Sequence, residues 1–148
     1  MEFTILVKSF NNLSPAELYT ILKLRNEVFV VEQNCPYQDT DDKDLKCEHL
    51  MLLQNDELMA YARLVPPGVS YPQMSIGRVV TSPKARGTGA GRVLMNTAIE
   101  QCQNSFGKGP IQIGAQAYLL KFYGSLGFNP IGEIYDEDGI PHIHMIRD

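Results

Sequence analysis

The sequence predicts an α/β protein, more narrowly an α+β arrangement, in which one mixed sheet, mostly antiparallel, is flanked by helices. Strand-length apolar runs and helical runs follow one another in the order β-α-β-β-β-α-β-α-β-β. A strand at residues 76–81 leads through a glycine-rich turn into a helical run. No linker, repeat or low-complexity stretch divides the 148 residues, so we expect one domain, residues 1–148.

The first strand and the first helix carry clear local signals. Residues 3–9 alternate between apolar and polar types, which favours a strand. Residues 14–17, Ser-Pro-Ala-Glu, place an N-cap serine, a proline at the first helical position and a glutamate three residues after the cap. We therefore expect a helix from Pro15 to about residue 29 or 31. Its predicted core residues are Leu18, Ile21, Leu22 and Val28.

The later elements are apolar runs bounded by turns. A polar turn at 54–57 predicts an antiparallel hairpin, and Gly127 is typical of a helix C-cap. The later strands are predicted at 49–53, 58–65, 76–81, 111–115, 128–135 and 140–146, with one helix after the glycine-rich turn and another at 119–126.

The polar stretch at residues 32–46 is predicted to be a solvated loop. Four aspartates lie in it, at positions 39, 41, 42 and 44. Counted from Asp39, an EF-hand loop would need glycine sixth and glutamate twelfth, but Asp44 and Leu50 stand there, so calcium binding is not predicted. A second interpretation, in which the acidic loop attracts a cationic amine, stays open.

Composition argues against several classes of protein. The formal net charge of -4 disfavours nucleic acid as a partner, and no apolar run approaches the roughly 20 residues of a membrane span. The N-terminus has no signal-peptide pattern. The chain has three cysteines, an odd number with no CxxC pair, at Cys35, Cys47 and Cys102. Neither a disulfide framework nor a zinc site is therefore predicted. We expect a cytoplasmic protein.

The glycine-rich turn at residues 86–91, Arg-Gly-Thr-Gly-Ala-Gly, has the layout of a phosphate cradle. It lies between a strand and a helix start, where free N–H groups and the helix dipole favour an anion. A P-loop would need Lys-Ser/Thr after Gly91, where Arg92-Val93 stands, and a dinucleotide-binding motif would space its glycines differently. The same missing pair argues against a nucleotide-phosphate hydrolase.

This segment resembles the acetyl-coenzyme A signature of the GNAT-type N-acetyltransferases, Gln/Arg-x-x-Gly-x-Gly/Ala after a strand and a proline. Residues 116–128 look like the second half-site of that family, and residues 24–33 and 35–37 look like its ElaA-like subgroup. The resemblance covers nearly the whole chain. It implies a GNAT-like fold, with acetyl-coenzyme A or coenzyme A as co-substrate.

The resemblance also implies roles for individual residues. Backbone groups of residues 79–81 would pair with the pantetheine arm, N–H groups of residues 87–92 would hold the pyrophosphate, and the Gln116 amide would contact the arm. Tyr123 would protonate the leaving thiolate. The expected coenzyme-binding residues are Val79, Val80, Thr81, Arg86, Gly87, Thr88, Gly89, Ala90, Gly91, Arg92 and Gln116.

The general base is not settled by the sequence. The four side chains considered are Glu32, His49, His142 and His144, with Glu32 also able to act through an ordered water. His142 and His144 alternate and so share a face of the last strand, but a third metal ligand is not evident and no metal site is predicted. Acetylation of Cys35 or Cys47 is less favoured than direct attack by the acceptor.

The expected function is acetyl-coenzyme A-dependent N-acetyl transfer to a small-molecule or peptide amine, with Tyr123, His49 and Glu32 as catalytic residues. The alternative is a domain of the same fold that binds coenzyme A or a protein partner without turnover. No nucleic-acid or membrane partner is expected, and the late strands offer a surface for a homodimer.

Overall fold

The computed structural model describes residues 2–148 and contains the predicted elements in the predicted order. The strands are β1 Thr4–Ser9, β2 Glu48–Gln54, β3 Glu57–Val65, β4 Ser75–Thr81, β5 Ile111–Gln116, β6 Asn129–Glu137 and β7 Ile140–Arg147. The helices are α1 Pro15–Arg25, α2 Ala90–Phe106 and α3 Leu120–Gly124. None of the helices in this described part is long and apolar enough to cross a membrane.

The expected fold class is confirmed, but the expected single sheet is divided in two. One sheet has the antiparallel order β1-β2-β3-β4, and the other has the antiparallel order β5-β7-β6. An isolated parallel bridge from Met74 to Ile111 joins them, with the Gln112 N–H donating to the Met74 carbonyl over 3.0 Å. Beyond this bridge β4 and β5 diverge.

A bulge in β4 accompanies this divergence. Tyr61 pairs with Val80 and Arg63 pairs with Gly77, so β4 carries one extra residue between these pairs. Arg78 within the bulge has φ +49°, an uncommon conformation for a residue with a side chain. A bulge bends its strand, and this one lies beside an opening that residues of both β4 and β5 line.

Helices cover both faces of the four-stranded sheet. Leu50 and Leu52 of β2 pack in the cluster that contains α2, whereas Met51 packs in the cluster that contains α1. The capping box of α1 is present: Ser14 Oγ accepts from the Glu17 N–H, and the Glu17 carboxylate accepts from the Ser14 N–H. Successive side chains of β2 therefore face opposite sides of the sheet, and the predicted N-cap at Ser14 is confirmed.

The predicted helix continues past α1 as a π-helical segment, Asn26–Glu32. Of the predicted core residues, Ile21 and Val28 are buried, and Leu18 and Leu22 are half-buried. Leu24 and Arg25 are also buried.

The acidic stretch is largely exposed, as predicted, but three of its four aspartates are paired within the protein rather than solvated, and this correction concerns the charge of the site. Arg25 is 0% exposed and donates to Asp44 over 2.8 Å and to Asp39 over 2.6 Å. The network also contains Arg63, Arg78 and Asp41, with Arg63–Asp41 at 2.7 Å and Arg78–Asp39 at 2.9 Å. Three arginines meet three aspartates, so the cluster has no spare negative charge to attract an amine.

Acid should destabilise the protein through this cluster. Burial tends to raise the pKa of Asp41, but hydrogen bonding and charge from Arg63 and Arg78 outweigh it and lower the pKa to about 2, from an ordinary 3.8. A lowered folded-state pKa stabilises the fold above the unfolded value and is lost as the pH falls through the folded value. We expect the urea midpoint to fall between about pH 4 and pH 2, and to fall less in Asp41→Asn. A midpoint that stays constant from pH 5 to pH 2 would contradict this.

Candidate active site

A cleft of about 560 Å³ occupies the opening between β4 and β5. Its walls include residues 76–81 of β4 and residues 113–116 of β5, and the segment that follows α1 forms part of its rim. In the described part of the chain, β4 has no strand partner on its β5 side beyond the Met74 bridge. Its backbone groups on this side are therefore available to an extended ligand that pairs as a strand would.

The cleft continues into the predicted phosphate cradle. A second pocket of about 320 Å³ shares Thr81, Arg86, Gly91 and Phe122 with the cleft. Its other lining residues are Ala85, Gly87, Gly89, Ala90 and Arg92. The turn and the open strand thus form one continuous channel.

The cradle has the features that an anion requires. Gly89 is the N-cap of α2 with φ +84°, and no side chain caps the helix. The first helical N–H to find a backbone acceptor is that of Val93, which donates to the Gly89 carbonyl over 3.2 Å, so the preceding N–H groups remain free. A Cβ atom added at Gly87 or Gly89 would meet nothing within 4 Å, so the space above the turn is open. These residues fit a phosphate-bearing ligand.

Two arginines flank the cradle. Arg86 makes a bidentate ion pair with Glu32, with distances of 2.7 and 2.6 Å. Arg92 donates to Ser125 Oγ over 3.0 Å and stacks over the ring of Phe122. Hydrogen bonding to Arg86 lowers the pKa of the Glu32 carboxyl, which disfavours Glu32 as a proton acceptor. Glu32 lines the cleft, but its visible role is to hold Arg86 at the cradle.

Tyr123 lies in the wall of the cleft, where the resemblance leads one to expect it. The residue is 6% exposed, and its ring packs edge-on against Phe122 and Phe128. Its hydroxyl makes no hydrogen bond to any residue from 2 to 148. Burial raises the pKa of this phenol to about 12, so the hydroxyl is protonated at neutral pH and is free to donate.

Of the remaining predicted coenzyme residues, Val79, Val80, Thr81 and Gln116 line the same channel. Thr88 lines neither pocket, and its hydroxyl donates to the Ala85 carbonyl instead. Val80 is buried against the α1 cluster, so its side chain anchors β4, and Val79 packs against the other core cluster. Gln116 ends β5, and its amide exchanges long hydrogen bonds of 3.3 and 3.4 Å with Gln33 across the cleft. Gln33 lies in the segment 24–33 that carries the resemblance, but no role was predicted for it, because the pairing joins residues that are 83 positions apart.

His49 is not in the cleft, and its prediction as the base is wrong. It is 1% exposed on the α1 side of β2, where Nδ1 lies 2.6 Å from the Tyr61 hydroxyl and Nε2 lies 2.9 Å from the Asp44 carbonyl. Desolvation lowers the pKa of the ring. His49 is therefore a buried structural histidine, and both of its ring nitrogens have hydrogen-bond partners.

The two C-terminal histidines differ in location. His142 lines the cleft, whereas His144 stacks on Tyr135 at 4.5 Å and lies outside the lining. Of the two thiols considered as nucleophiles, Cys47 is buried with its pKa raised to about 11 by desolvation. Cys35 is half-buried and points at the Asp138 carbonyl.

Gly89→Val should abolish coenzyme A binding, because the side chain would enter the phosphate approach. The φ of +84° also makes any side chain costly there, by about 1–2 kcal/mol. Gly68→Val is the matched control, since Gly68 has φ +88° and equally open space, but lies outside both pockets. We expect titration calorimetry to show binding by the Gly68 variant only. Unchanged affinity in a folded Gly89→Val protein would remove the cradle assignment.

These features together define a class of protein. A bulged strand that opens beside its neighbour and a glycine cradle beyond that strand suit an acyltransferase that holds an acyl-coenzyme A. A phenol in the same cleft wall, with no hydrogen-bond partner among residues 2–148, suits protonation of the sulfur.

Comparison with known proteins identifies the family. A sequence model described as "Acetyltransferase (GNAT) domain" matches residues 16–148, and the chain belongs to the GNAT acetyltransferase family. Protein ElaA of Escherichia coli (strain K12) is 47% identical over 140 residues, which cover 93% of this chain and 92% of ElaA. The predicted ElaA-like subgroup is confirmed.

Solved structures support the same family. The crystal structure of Escherichia coli ElaA superposes with a TM-score of 0.92 at 44% identity, covering 99% of this chain and 100% of ElaA. An acyl-CoA N-acyltransferase from Pseudomonas aeruginosa also gives 0.92 at 44% identity, covering 98% of this chain and 99% of that one. Members of this family use an acyl-coenzyme A as donor.

Proposed function

We propose that this protein, one domain over residues 1–148, transfers an acetyl group from acetyl-coenzyme A to a primary amine by direct attack. The observation that carries the proposal is the hydroxyl of Tyr123, which has no hydrogen-bond partner among the described residues and belongs to the wall of a channel that ends in the phosphate cradle. A hydroxyl that no protein group engages is free to donate a hydrogen bond to a ligand in the cleft.

Different residues of the channel would bind different parts of acetyl-coenzyme A. The N–H groups at the start of α2, with Arg86 and Arg92, would bind the pyrophosphate. Residues 79–81 would hold the pantetheine arm against the free edge of β4. When bound, the coenzyme supplies a thioester whose acyl carbon an amine can attack. Backbone N–H groups beside the β4 bulge would stabilise the negative charge that develops on the carbonyl oxygen.

Tyr123 would donate its proton to the sulfur as the carbon–sulfur bond breaks. A phenol suits this task because burial keeps it protonated until a strong base such as a thiolate forms beside it. Its ring packs edge-on against Phe122 and Phe128, which fixes the position of the phenol in the cleft wall.

The acceptor is proposed to be a small-molecule or peptide amine that carries positive charge. Glu137 and Asp138 line the cleft, and neither pairs with a lysine or arginine among residues 2–148. Other charges of the cleft are balanced, since Glu32 pairs with Arg86, and Asp39 and Arg78 belong to the neutral buried network. The free cysteines fit a reducing cytoplasm.

Release of free thiol from acetyl-coenzyme A tests this proposal, with spermidine, an aminoglycoside and a lysine-containing peptide as amines. Amine-dependent release would support the transferase. Coenzyme binding without release from any of these amines would favour a domain that binds coenzyme A without turnover. Absence of binding would contradict both.

A further inference from the structure

His142 occupies the acceptor side of the cleft. It lies on β7 between Gln116 of β5 and Tyr135 of β6 in the strand register, and it is 7% exposed. The turn that carries Glu137 and Asp138 adjoins it, and both of these residues also line the cleft. His142 therefore lies beside the groups that we propose to attract the amine.

The hydrogen bond of the ring determines which nitrogen can accept a proton. Nδ1 lies 2.7 Å from the Ile140 carbonyl oxygen. A carbonyl oxygen can only accept, so Nδ1 must carry the hydrogen. In the neutral ring the other nitrogen, Nε2, then has a free lone pair. The contact with Ile140 thus fixes both the tautomer and the orientation of the imidazole.

The carboxylate of Glu137 can attract the His142 ring once the ring has gained a proton. Its Oε2 lies 3.4 Å from Nε2 of His142. While Nε2 is unprotonated, two lone pairs face each other and no hydrogen bond forms. Once Nε2 holds a proton, the carboxylate faces a cation and attracts it. The side chain of Glu137 is largely exposed, so solvent screens this attraction and limits it.

We propose that His142 is the general base of the reaction and that Glu137 is a positioning residue that acts through it. This inference rests on the proposed function. An amine that arrives as an ammonium first releases one proton to solvent, and Nε2 of His142 would take the second proton from the neutral amine nitrogen as that nitrogen bonds to the acyl carbon. The carbon–sulfur bond breaks, and Tyr123 gives its proton to the sulfur. One proton enters at His142 and one leaves at Tyr123, and exchange with solvent restores both residues.

The other three predicted bases fit this role less well. His49 is enclosed on the far side of β2, and His144 lies outside the cleft lining. Glu32 is engaged with Arg86 at the cradle end. Of the four, His142 alone combines a place in the cleft wall with a ring nitrogen that makes no hydrogen bond to residues 2–148.

Kinetics of His142→Ala test the proposal, with His144→Ala as a matched control on the same face of the same strand. We expect kcat to fall by about 10²–10⁴-fold in the His142 variant, as for loss of a general base. The Kd of acetyl-coenzyme A by calorimetry should stay within twofold in both variants, and added imidazole should restore part of the lost turnover. The assay uses whichever of spermidine, the aminoglycoside and the lysine-containing peptide gives the fastest thiol release with the unaltered protein.

Turnover in His142→Ala within threefold of the unaltered protein would overturn the proposal. Loss of turnover together with loss of coenzyme affinity, and without imidazole rescue, would also overturn it, since that pattern indicates a structural role. Glu137→Gln should lower kcat by about fivefold or less, the size expected for an exposed ion pair.

The tautomer gives a test that does not depend on turnover. Long-range ¹H–¹⁵N spectra at pH 9, above the range in which imidazoles titrate, distinguish the two neutral forms of the three histidines. His142→Gln assigns the signals. We expect a protonated Nδ1 and a bare Nε2 for His142. A protonated Nε2 would overturn the proposal whatever the activity, whereas failure of thiol release with the expected tautomer would count against the proposed function instead.

Discussion

Tyr123→Phe should lower kcat for thiol release by about 10²–10⁴-fold, the range for loss of a general acid. The change removes one oxygen and its proton and leaves the ring in its place between Phe122 and Phe128. Without the proton the sulfur must leave as a free thiolate with no acid from Tyr123 beside it. Because the hydroxyl has no partner within the described chain, its removal leaves no other group unsatisfied.

Coenzyme affinity and stability serve as the controls for this variant. The Kd of acetyl-coenzyme A should change little, since the cradle and β4 are untouched, and the melting temperature should hold. Tyr19→Phe, on the exposed surface of α1, should retain full turnover. Unaltered turnover in Tyr123→Phe would reduce Tyr123 to a packing residue and remove the main support for the proposed function.

Arg25→Ala should destabilise the protein by about 3–5 kcal/mol, the cost of leaving buried charges without a partner. The guanidinium is fully buried and holds Asp39 and Asp44 together. When it is removed, two carboxylates that lie almost entirely out of water lose a counter-charge. Urea unfolding measures the change as a shift of the midpoint at constant slope.

Lys23→Ala is the control, because Lys23 lies on the same helix but is exposed. Its effect should remain within about 0.5 kcal/mol, as for ordinary surface substitutions. A loss below about 1 kcal/mol in Arg25→Ala would mean that the aspartates find water or other cations instead, as exposed pairs do.

The predictable part of the site is the part encoded by neighbouring residues. Gly87 and Gly89 lie in one short segment between a strand and a helix, so their positive φ angles and the free helix N–H groups follow from local sequence. The N-cap at Ser14 and the hairpin turn at residues 55–56 were predictable for the same reason. Tyr123 was predictable only through the family resemblance, because nothing local distinguishes it from a packing tyrosine.

The predictions that failed, for His49 and for the acidic loop, depended on which side chains pack against each other in the folded protein. His49 belongs to a strand that was predicted correctly, but the sequence does not say which face of that strand α1 covers, or that the Tyr61 hydroxyl lies beside the His49 ring. The acidic loop was misjudged because its aspartates pair with Arg25, Arg63 and Arg78, which are 14 to 39 positions away. An arginine at a core-facing helix position and another within an apolar strand were the signals that pointed to buried partners.

The division of the strands into two sheets could not be predicted from the sequence either. A bulge depends on pairing register, and the register of β3 and β4 appears only when the strands are aligned. The opening between β4 and β5, and with it the cleft, lies beside this one extra residue.

The most direct test of the account is amide hydrogen exchange with and without saturating coenzyme A. If the channel binds the coenzyme as proposed, exchange should slow at residues 79–81 of β4 and at residues 87–92 of the cradle. Amides in β1, remote from both pockets, should be unchanged. Binding that leaves β4 and the cradle unprotected would contradict the account, because the ligand would then lie outside the opening on which the proposed reaction depends.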